Sequence, residues 1–310
     1  MIEYSIYFLY LFYIVKSSSL YHLCKKKLNS SFGKAVQYML LSTISFAFMN
    51  ALIKYLIDYS TFQLVFFRSL GSLFITFGII KSQKINIWGN QQKLLLLRGL
   101  VGATSMILFF WGIHYINVGS AVTLRYTSPI FAAVLAVFFL GKTIRLIQWI
   151  FFLISFFGVY LIKNYDPSGS NFGVFIVLVS AFLSAIVYFI ISKIGKRDNS
   201  VVIVHYFMTF STVIGGIGSI FFWIIPNTKD IFLLFSLGFF GFFGQLFMTR
   251  AFQSAEAHIV APFKYVEVIF TLLFGIYVID EKYDLFHLLG AFFVILGLIL
   301  NVLFRSKNSD

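Results

Sequence analysis

Four charged residues stand inside long apolar stretches of this sequence: Arg68, Arg125, Lys264 and Glu267. A charge within a lipid-spanning helix costs roughly 2.5–3.5 kcal/mol on insertion scales, so it normally faces a cavity or a partner group. Lys264 and Glu267 are three positions apart and therefore share one helix face. Two cations, Arg125 and Lys264, together with one carboxylate would suit a substrate with a negative or zwitterionic group. These residues predict a polar site inside an otherwise apolar protein.

The carboxylate of Glu267 has three candidate roles. It could contact the substrate, or it could take up and release a coupling proton, as intramembrane carboxylates do in transporters. Alternatively, Glu267 and Lys264 form an internal ion pair that only locks the helices together. Tyr126 and Tyr265, next to the two cations, are predicted to form the wall of the site. Arg68 is assigned either to the cavity or to a structural pair between helices.

Other residues near these charges receive simpler interpretations. His205 is predicted to be a hydrogen-bonded packing residue, and Trp111 is a candidate for the cavity wall. Lys54 lies near a span end, where a lysine can extend its ammonium group to the membrane surface. Pro129 and Pro262 are expected to kink the helices that contain them and so release carbonyl groups near the site.

The composition places these charges in a membrane protein. Of the 310 residues 60% are hydrophobic and 11% are charged, and the mean hydropathy is +0.92. A soluble domain has about 25% charged residues, so lipid must be part of the solvent here. The net charge of +13 comes from basic residues between apolar runs, which indicates membrane topology rather than nucleic-acid binding. The single cysteine, Cys24, excludes an internal disulfide.

Ten apolar runs approach the roughly 20 residues that a helix needs to cross a bilayer. Each must be a helix, because lipid offers no partner to an open backbone. The predicted fold class is therefore all-α integral membrane, with ten transmembrane helices. The leader, residues 1–33, is interpreted as an interfacial or disordered segment, or as the product of an over-extended start codon. The ten predicted spans are 36–57, 62–80, 94–116, 118–140, 146–162, 172–194, 201–225, 231–252, 257–279 and 285–304.

Basic residues are distributed unevenly among the connections between these spans. If both termini are cytoplasmic, most of the loop lysines and arginines fall on the cytoplasmic side, where the positive-inside rule expects them. This asymmetry predicts a multi-pass protein of the cell inner membrane with both termini in the cytoplasm. The outer loops then contain few basic residues, namely Lys163, Lys229 and Lys282.

The sequence also contains an internal repeat. Arg125-Tyr126 and Lys264-Tyr265 are separated along the chain by a number of residues that also separates further matched positions in three consecutive spans, without a gap. We call this separation the repeat offset. Five spans are an odd number, so the second copy enters the membrane from the opposite side. Such inverted repeats are the architecture of many secondary transporters. Arg125 and Lys264 should then point at the central axis from opposite halves. The other matched pairs are Gly99 with Gly238, Gly102 with Gly241, Ile130-Phe131 with Ile269-Phe270, Leu146 with Leu285, Gly158 with Gly297, and Leu161 with Leu300.

Motifs of enzymes and metal sites are missing from the sequence. It has no HExxH, no Walker sequence, no metal-spaced set of Cys and His, and no convincing Ser/His/Asp arrangement. We therefore expect no enzyme, no catalytic residues, no cofactor and no metal. The expected partners are the lipid bilayer and a small-molecule substrate, and not nucleic acid. Coupling to protons or ions and assembly into a homodimer are left open.

Several motifs together carry a resemblance to a known family. They are Phe66-Phe67-Arg68, the stretch from Leu97-Arg98-Gly99 through Tyr126-Thr127-Ser128-Pro129-Ile130-Phe131 to Leu140-Gly141-Lys142, and the stretch from Gly244-Gln245-Leu246-Phe247-Met248-Thr249 to Ile279-Asp280-Glu281. In these motifs, residues 35 to 305 resemble the EamA-type transporters of the drug/metabolite transporter superfamily.

The resemblance implies a fold and a class of activity. It implies ten helices in two inverted five-helix repeats, a central cavity, alternating access and small organic substrates such as amino acids, nucleoside-like compounds or vitamins. Members similar in the third and fourth spans include carriers of the S-adenosylmethionine type. The family often ends the fourth span with Leu-Gly-Glu. Here Lys142 replaces that acid and Glu281 keeps it in the second copy, which puts a symmetric role of this glutamate in doubt.

The sequence as a whole predicts a secondary transporter of a small polar metabolite, amino-acid-like or nucleoside-like, that works by alternating access through a central cavity. The alternative is a polytopic membrane protein that does not transport, such as a receptor or an assembly factor. The predicted organisation is a leader at 1–33, a first repeat at 34–165, a second repeat at 170–305 and a tail at 306–310. The predicted contacts for substrate or coupling are Arg125, Lys264, Glu267, Tyr126, Tyr265 and Arg68.

Overall fold

The computed structural model describes residues 31–128, 130, 131, 135, 146–165, 170–254, 260 and 263–306. Within these residues the chain is helical and has no β-strand, which confirms the predicted all-α class. Most of the leader, the two prolines 129 and 262, and the Leu140-Gly141-Lys142 motif lie outside the described residues. The α-helices are α1 (Ser31–Tyr55), α2 (Thr61–Ser82), α3 (Gln92–Ile113), α4 (Val118–Arg125), α5 (Leu146–Tyr165), α6 (Asn171–Ile194), α7 (Ser200–Phe221), α8 (Thr228–Ser254), α9 (Val266–Val278) and α10 (Leu285–Ser306).

Six of these helices, α1, α2, α3, α6, α7 and α8, are long and apolar enough to cross a membrane. Shorter apolar helical segments occur at Leu146–Ile162, Val266–Val278 and Leu285–Leu300, which belong to α5, α9 and α10. Each predicted span overlaps one of the observed helices. Apolar composition along the chain was therefore enough to locate these helices.

Polar side chains at the helix starts explain where several helices begin. The hydroxyl of Ser60 accepts a hydrogen bond from the backbone N–H of Gln63 at 3.2 Å, and so caps α2. Ser170 caps α6 in the same way, and the side chain of Asn199 caps α7 through the N–H of Val201 at 2.9 Å. Capping of this kind satisfies N–H groups that the first helical turn leaves without a partner.

The helix bounds repeat along the chain at the spacing seen in the sequence. Shifting α2 by the repeat offset gives the bounds of α7, and the same shift moves the start of α5 at Leu146 onto the start of α10 at Leu285. We call α1–α5 the first half and α6–α10 the second half. The packing follows the same correspondence, in which α1, α2 and α3 are the counterparts of α6, α7 and α8. Helix α1 packs on α8, and their counterparts α6 and α3 also pack on each other. Likewise α2 packs on α8, and their counterparts α7 and α3 pack on each other. Three helices, α2, α4 and α5, pack directly on their own counterparts α7, α9 and α10.

Glycines allow the close crossings between these helices. At the crossing of α2 and α8, a Cβ on Gly238 would lie 2.7 Å from the Cα of Gly71. Where α5 meets α10, a Cβ on Gly297 would lie 2.5 Å from the carbonyl oxygen of Phe151. Small residues at helix interfaces let backbones approach in membrane proteins. The repeated glycines are thus explained by packing.

Candidate substrate cavity

A small polar cavity lies at the centre of the helix bundle. Its volume is about 40 Å³. A water molecule needs roughly 10–15 Å³ of such volume, so the cavity has room for about three waters. Both halves line it, with residues from α1 to α4, from α6 to α9 and from the segment that precedes α9. The lining residues are Phe46, Met49, Asn50, Arg68, Arg98, Gly102, Ser105, Met106, Phe110, Val122, Arg125, Tyr126, Ser184, Val187, Tyr188, Phe207, Gln245, Met248, Lys264 and Glu267.

The carboxylate of Glu267 lies in the first turn of α9 and is held by two other helices. Its Oε1 accepts a hydrogen bond from Asn50 Nδ2 of α1 at 3.0 Å. Its Oε2 accepts one from the hydroxyl of Tyr126, the residue that ends α4. Glu267 is buried, with 5% of its surface exposed, so these contacts replace the water that the carboxylate loses on burial. Glu267 therefore links three helices at the cavity.

Lys264 enters the cavity two positions before α9 and is bonded to a tyrosine of α6. Its Nζ donates a hydrogen bond to the hydroxyl of Tyr188 at 2.8 Å. The same ammonium group lies 5.0 Å from the ring centroid of Tyr188 and 5.4 Å from that of Tyr126, within the range of cation–π attraction. Lys264 and Glu267 share the cavity but are not in contact as an ion pair. In the described part of the chain, only Lys54 and Glu281 form such a pair.

Three arginines of the first half line the same cavity and contact aromatic rings and sulfur atoms. The guanidinium of Arg98 lies 4.4 Å from the ring centroid of Phe207, and that of Arg68 lies 5.3 Å from the same ring. The Nε of Arg68 also contacts the sulfur of Met49 at 3.3 Å. Arg125 lies 4.2 Å above the ring of Phe109. Aromatic faces and thioethers attract a guanidinium group only weakly, and they do not neutralise its charge.

Several polar atoms of the lining have no hydrogen-bond partner in the described structure. They are Nε and Nη1 of Arg98, Nε of Arg125, Nε2 of Gln245 and Oδ1 of Asn50. Arg98 is 1% exposed and Gln245 is 4% exposed, so protein surrounds both side chains. Four cations, Arg68, Arg98, Arg125 and Lys264, face the single carboxylate of Glu267, a formal excess of three positive charges. Buried cations normally have paired anions, so this excess is the most unusual property of the site.

The structure brings together five of the six residues predicted for the site. Arg68, Arg125, Tyr126, Lys264 and Glu267 all line the cavity.

The sixth residue, Tyr265, lies behind the wall, where its ring packs edge-on against Tyr126 with centroids 5.6 Å apart. Trp111 is 39% exposed and packs edge-on against Phe172 and Tyr115, away from the cavity. Its prediction as a wall residue is wrong, because its ring points outward from the bundle.

Sequence reasoning missed four polar residues of the cavity: Arg98, Asn50, Tyr188 and Gln245. Arg98 gave a usable signal, because it lies a full turn inside the predicted third span rather than at its edge. The other three are uncharged and lie in apolar helices among many similar residues. His205, predicted as a packing residue, has that environment: its Nδ1 lies 2.9 Å from the hydroxyl of Thr76.

Contacts around Glu281 join the two halves at one end of the bundle. The ammonium group of Lys54 lies 3.7 Å from Oε1 of Glu281 and donates a hydrogen bond to the carbonyl oxygen of Ile113 at 3.0 Å. The same Oε1 accepts the N–H of Val118, the first residue of α4, at 3.0 Å, and Tyr283 donates to Oε2. Lys54 was predicted to extend to the membrane surface. Instead it pairs inside the protein, because α9 and α10 bring an acid to it.

Contacts around Asp198 join the two halves at the opposite end. The carboxylate of Asp198, between α6 and α7, accepts hydrogen bonds from the N–H groups of Asn90 and Gln91, just before α3. A carboxylate at this position also suits the positive end of the helix dipole. Gln253, in the last turn of α8, donates to the carbonyl oxygen of Asp198 at 2.9 Å. Like the Glu281 end, the Asp198 end joins residues from both halves.

Comparisons with known proteins bear on the family of this chain. The model of the EamA-like transporter family matches residues 33–163 and again 171–303. The pseudopaline exporter CntI of Pseudomonas aeruginosa is 26% identical over 271 residues, which are 86% of this chain and 95% of the exporter. An uncharacterized transporter of Helicobacter pylori is 28% identical over 83% of this chain and 90% of its own.

A further relative and a solved structure extend the likeness. The S-adenosylmethionine uptake transporter of Rickettsia conorii is 24% identical over 278 residues, which are 88% of this chain and 94% of that protein. One crystal structure superposes with a TM-score of 0.65 at 10% identity, over 90% of this chain and 99% of the other. At that identity the match shows a shared fold.

Proposed function

The chain belongs to the EamA-like transporter family, and from that premise we propose that it is a secondary transporter of a small polar metabolite. The substrate binds in the central cavity between the two halves and reaches either side of the membrane by alternating access. The observation that carries this proposal is the cavity itself. It gathers four cations and a carboxylate from both halves in the middle of an apolar bundle. Intramembrane charges of this kind mark substrate and ion pathways.

The matched halves support the alternating-access mechanism. We propose ten membrane spans in two inverted five-helix repeats, with repeat boundaries at 34–165 and 170–305. The repeat offset that relates α2 to α7, and the start of α5 to the start of α10, supports this arrangement, as do the two matches to the family model. Inverted halves can exchange conformations, so that a central site faces each side in turn.

The size of the cavity supports a conformational cycle. A volume of about 40 Å³ is far below the roughly 300–1,000 Å³ of typical small-molecule sites. The halves must therefore separate to admit a metabolite, and the contacts at the Glu281 and Asp198 ends must break in turn. We propose that the described conformation is an occluded intermediate between the two open states.

The cavity residues can be assigned roles within this mechanism. We propose that Arg125 and Lys264 bind the substrate from opposite halves, and that Tyr126 positions Glu267. Glu267 takes up and releases the coupling proton. Its hydrogen bonds to Asn50 and Tyr126 hold the carboxylate between α1, α4 and α9. The relative positions of these helices must change during the cycle, so protonation of Glu267 can be linked to that movement.

The relatives bear on the class of substrate. One is named as an exporter of pseudopaline and another as an uptake transporter of S-adenosylmethionine, both organic metabolites. The same family thus serves export and uptake. We propose that the side chains of the cavity, rather than the fold, select what this chain moves.

Membrane topology completes the proposal. We propose an inner-membrane protein with both termini in the cytoplasm, which follows from the excess of basic residues in the loops on that side. A reporter that is active only in the cytoplasm, fused after residue 310, is expected to be active. The same reporter inserted after Pro226 is expected to be inactive.

Counterflow in proteoliposomes tests the function. The purified chain is reconstituted, loaded with one unlabelled metabolite at a time and diluted into the labelled compound. Panels of amino acids, nucleosides and carboxylic acids are assayed. We expect saturable accumulation of at least one compound, and none in protein-free liposomes. Lys264→Met should abolish it, whereas Lys34→Met, at an exposed lysine of α1, should not. A chain that binds a compound but never moves it would be a receptor or assembly factor instead.

A further inference from the structure

We propose that the transported substrate is a polyanion, with at least two negative charges on carboxylate or phosphate oxygens. This inference rests on the proposed transport function and names the chemical class that the same cavity takes. It starts from the charge of the lining, where Arg68, Arg98, Arg125 and Lys264 face one carboxylate.

The carboxylate of Glu267 offsets at most one of these four positive charges, and it forms no ion pair with any of them in the described structure. Both of its oxygens accept hydrogen bonds from uncharged groups, Asn50 Nδ2 and the Tyr126 hydroxyl. No arginine or lysine in the described ranges contacts Glu267 as an ion pair. Within the described ranges, the guanidinium groups of the cavity therefore have no paired anion.

The guanidinium groups are also close enough to repel one another. The guanidinium groups of Arg68 and Arg98 lie 5.3 Å and 4.4 Å from the centroid of the same Phe207 ring, and Arg125 lines the same small cavity. Like charges gathered in a low-dielectric interior repel one another, and a nearby counter-charge lowers that cost. An anion in the cavity supplies that charge.

Unused donors show where the anion contacts the wall. Nε and Nη1 of Arg98, and Nε of Arg125, have no hydrogen-bond partner in the described structure, and Arg98 is buried behind Phe207. The amide Nε2 of Gln245 also lacks a partner there. Guanidinium groups have a planar fork of donors that matches carboxylate and phosphate oxygens. These donors come from α3, α4 and α8, on several sides of the cavity. A ligand with one anionic group could satisfy only part of them, whereas a ligand with two or more could satisfy them together.

Binding of defined anions to the full-length chain in detergent tests the proposal. Succinate and succinamate have nearly the same shape but differ by one negative charge. Thermal shifts are titrated with each at constant ionic strength, and with citrate, glycerol 3-phosphate, glutamine and S-adenosylmethionine. We expect citrate and succinate to raise the melting temperature, and succinamate to bind about tenfold more weakly, because a charged hydrogen bond is lost. Tighter binding of glycerol 3-phosphate than of succinate would assign the class to phosphates, and the reverse order would assign it to carboxylates.

Two variants and a matched control connect binding to the cavity. Arg98→Gln should remove most of the anion-induced shift, and Arg98→Lys should keep part of it, because lysine retains the charge without the fork. Arg250→Gln removes an arginine of α8 that lies outside the cavity, 5.9 Å from the ring of Tyr38, and should leave the shift unchanged. If Arg98→Gln does not fold, Arg125→Gln takes its place with the same expectation.

The outcomes separate this inference from the proposed function. The inference is overturned if none of the polyanions shifts the melting temperature, if succinamate binds as well as succinate, or if glutamine or S-adenosylmethionine is preferred. If such a neutral or cationic compound is transported, the proposed transport function stands and only the inference of a polyanionic substrate fails. If anions bind tightly but no counterflow is measured, the anion site stands and the proposed transport function fails.

Discussion

The two halves of the chain share a helical framework but differ in what they place around the cavity. At one pair of repeat-related positions they agree, since Arg125 and Lys264 each bring a cation to the cavity from opposite halves. The neighbouring tyrosines already differ. Tyr126 bonds to Glu267, whereas Tyr265 packs behind Tyr126 with a buried hydroxyl that has no hydrogen-bond partner in the described structure.

Elsewhere the halves differ outright. At the repeat offset, the counterpart of Arg68 is Phe207, and the counterpart of Arg98 is Leu237. Phe207 does not repeat the charge but contacts both arginines with its ring. The helical framework and three pairs of glycines thus follow the repeat, whereas the charges of the cavity follow it only at Arg125 and Lys264. The framework belongs to both halves equally, and the first half supplies most of the positive charge of the site.

Replacing Glu267 should have the largest effect on transport. Its counterpart in the first half is Ser128, so only the second half offers a carboxylate at this position. Glu267→Gln keeps the size and one hydrogen-bond acceptor but cannot bind and release a proton. We expect active transport driven by a pH gradient to fall to background, while the chain still inserts and folds.

The control is Asp284→Asn, at an exposed acid in the loop before α10, which should leave transport unchanged. Transport is measured in proteoliposomes with and without a pH gradient. If gradient-driven uptake continues at its normal rate in Glu267→Gln, Glu267 does not couple transport to protons and its role is structural.

The two tyrosines give a matched pair of smaller changes. Tyr126→Phe removes the hydroxyl that donates to Glu267, and the lost hydrogen bond should cost about 1–3 kcal/mol. Tyr265→Phe removes a buried hydroxyl with no partner in the described structure, so it should be neutral or slightly stabilising. Melting temperatures and transport rates of both variants check this. Equal effects of the two substitutions would mean that the halves are symmetric here after all.

The smallest expected effects concern the glycines next to the two arginines. A Cβ on Gly102 would collide with Nη1 of Arg98, and a Cβ on the repeat-related Gly241 would lie 2.9 Å from Nε of Arg68. Each alanine should cost about 1 kcal/mol, near the low end for overpacking, because the end of a flexible side chain can move.

Substrate affinity should separate the two glycine variants. Gly102→Ala displaces the unpaired guanidinium of Arg98 and should weaken binding. Gly241→Ala displaces Arg68, which contacts methionine sulfurs, and should weaken it less. Binding titrations of the two purified variants measure the difference. A larger loss of affinity in Gly241→Ala than in Gly102→Ala would indicate that Arg68 is the main contact of the anion.

Much of this molecule could be read from its sequence for a simple physical reason. A charge such as Arg125 or Glu267 in a lipid-facing stretch is costly, so it stands out against the apolar background and indicates a polar interior. The repeat was also visible in the sequence, and the structure keeps its offset in the bounds of α2 and α7 and in the starts of α5 and α10.

The parts that the sequence did not reveal depend on which helices meet. Asn50 and Gln245 face the cavity only because α1 and α8 pack together beside it, and nothing in the local pattern distinguishes them from other amides. The pairing of Lys54 with Glu281 joins residues from opposite ends of the sequence, and so depends on the tertiary fold. Arg98 lies only one turn inside the predicted third span, and a cation at that depth is easily explained by membrane topology, so its position alone did not assign it to the cavity.

The positive excess of the cavity has a consequence for the kinetics of the cycle. With the proposed anion bound, most of the positive charge of Arg68, Arg98 and Arg125 is offset, and the loaded carrier can pass through the closed state at lower energy. Without it, the same passage holds like charges together in a low-dielectric interior. The empty carrier should therefore return slowly, and one-for-one exchange should run faster than net flux. Counterflow rates that exceed the rate of net efflux would be the signature of a protein built as an exchanger.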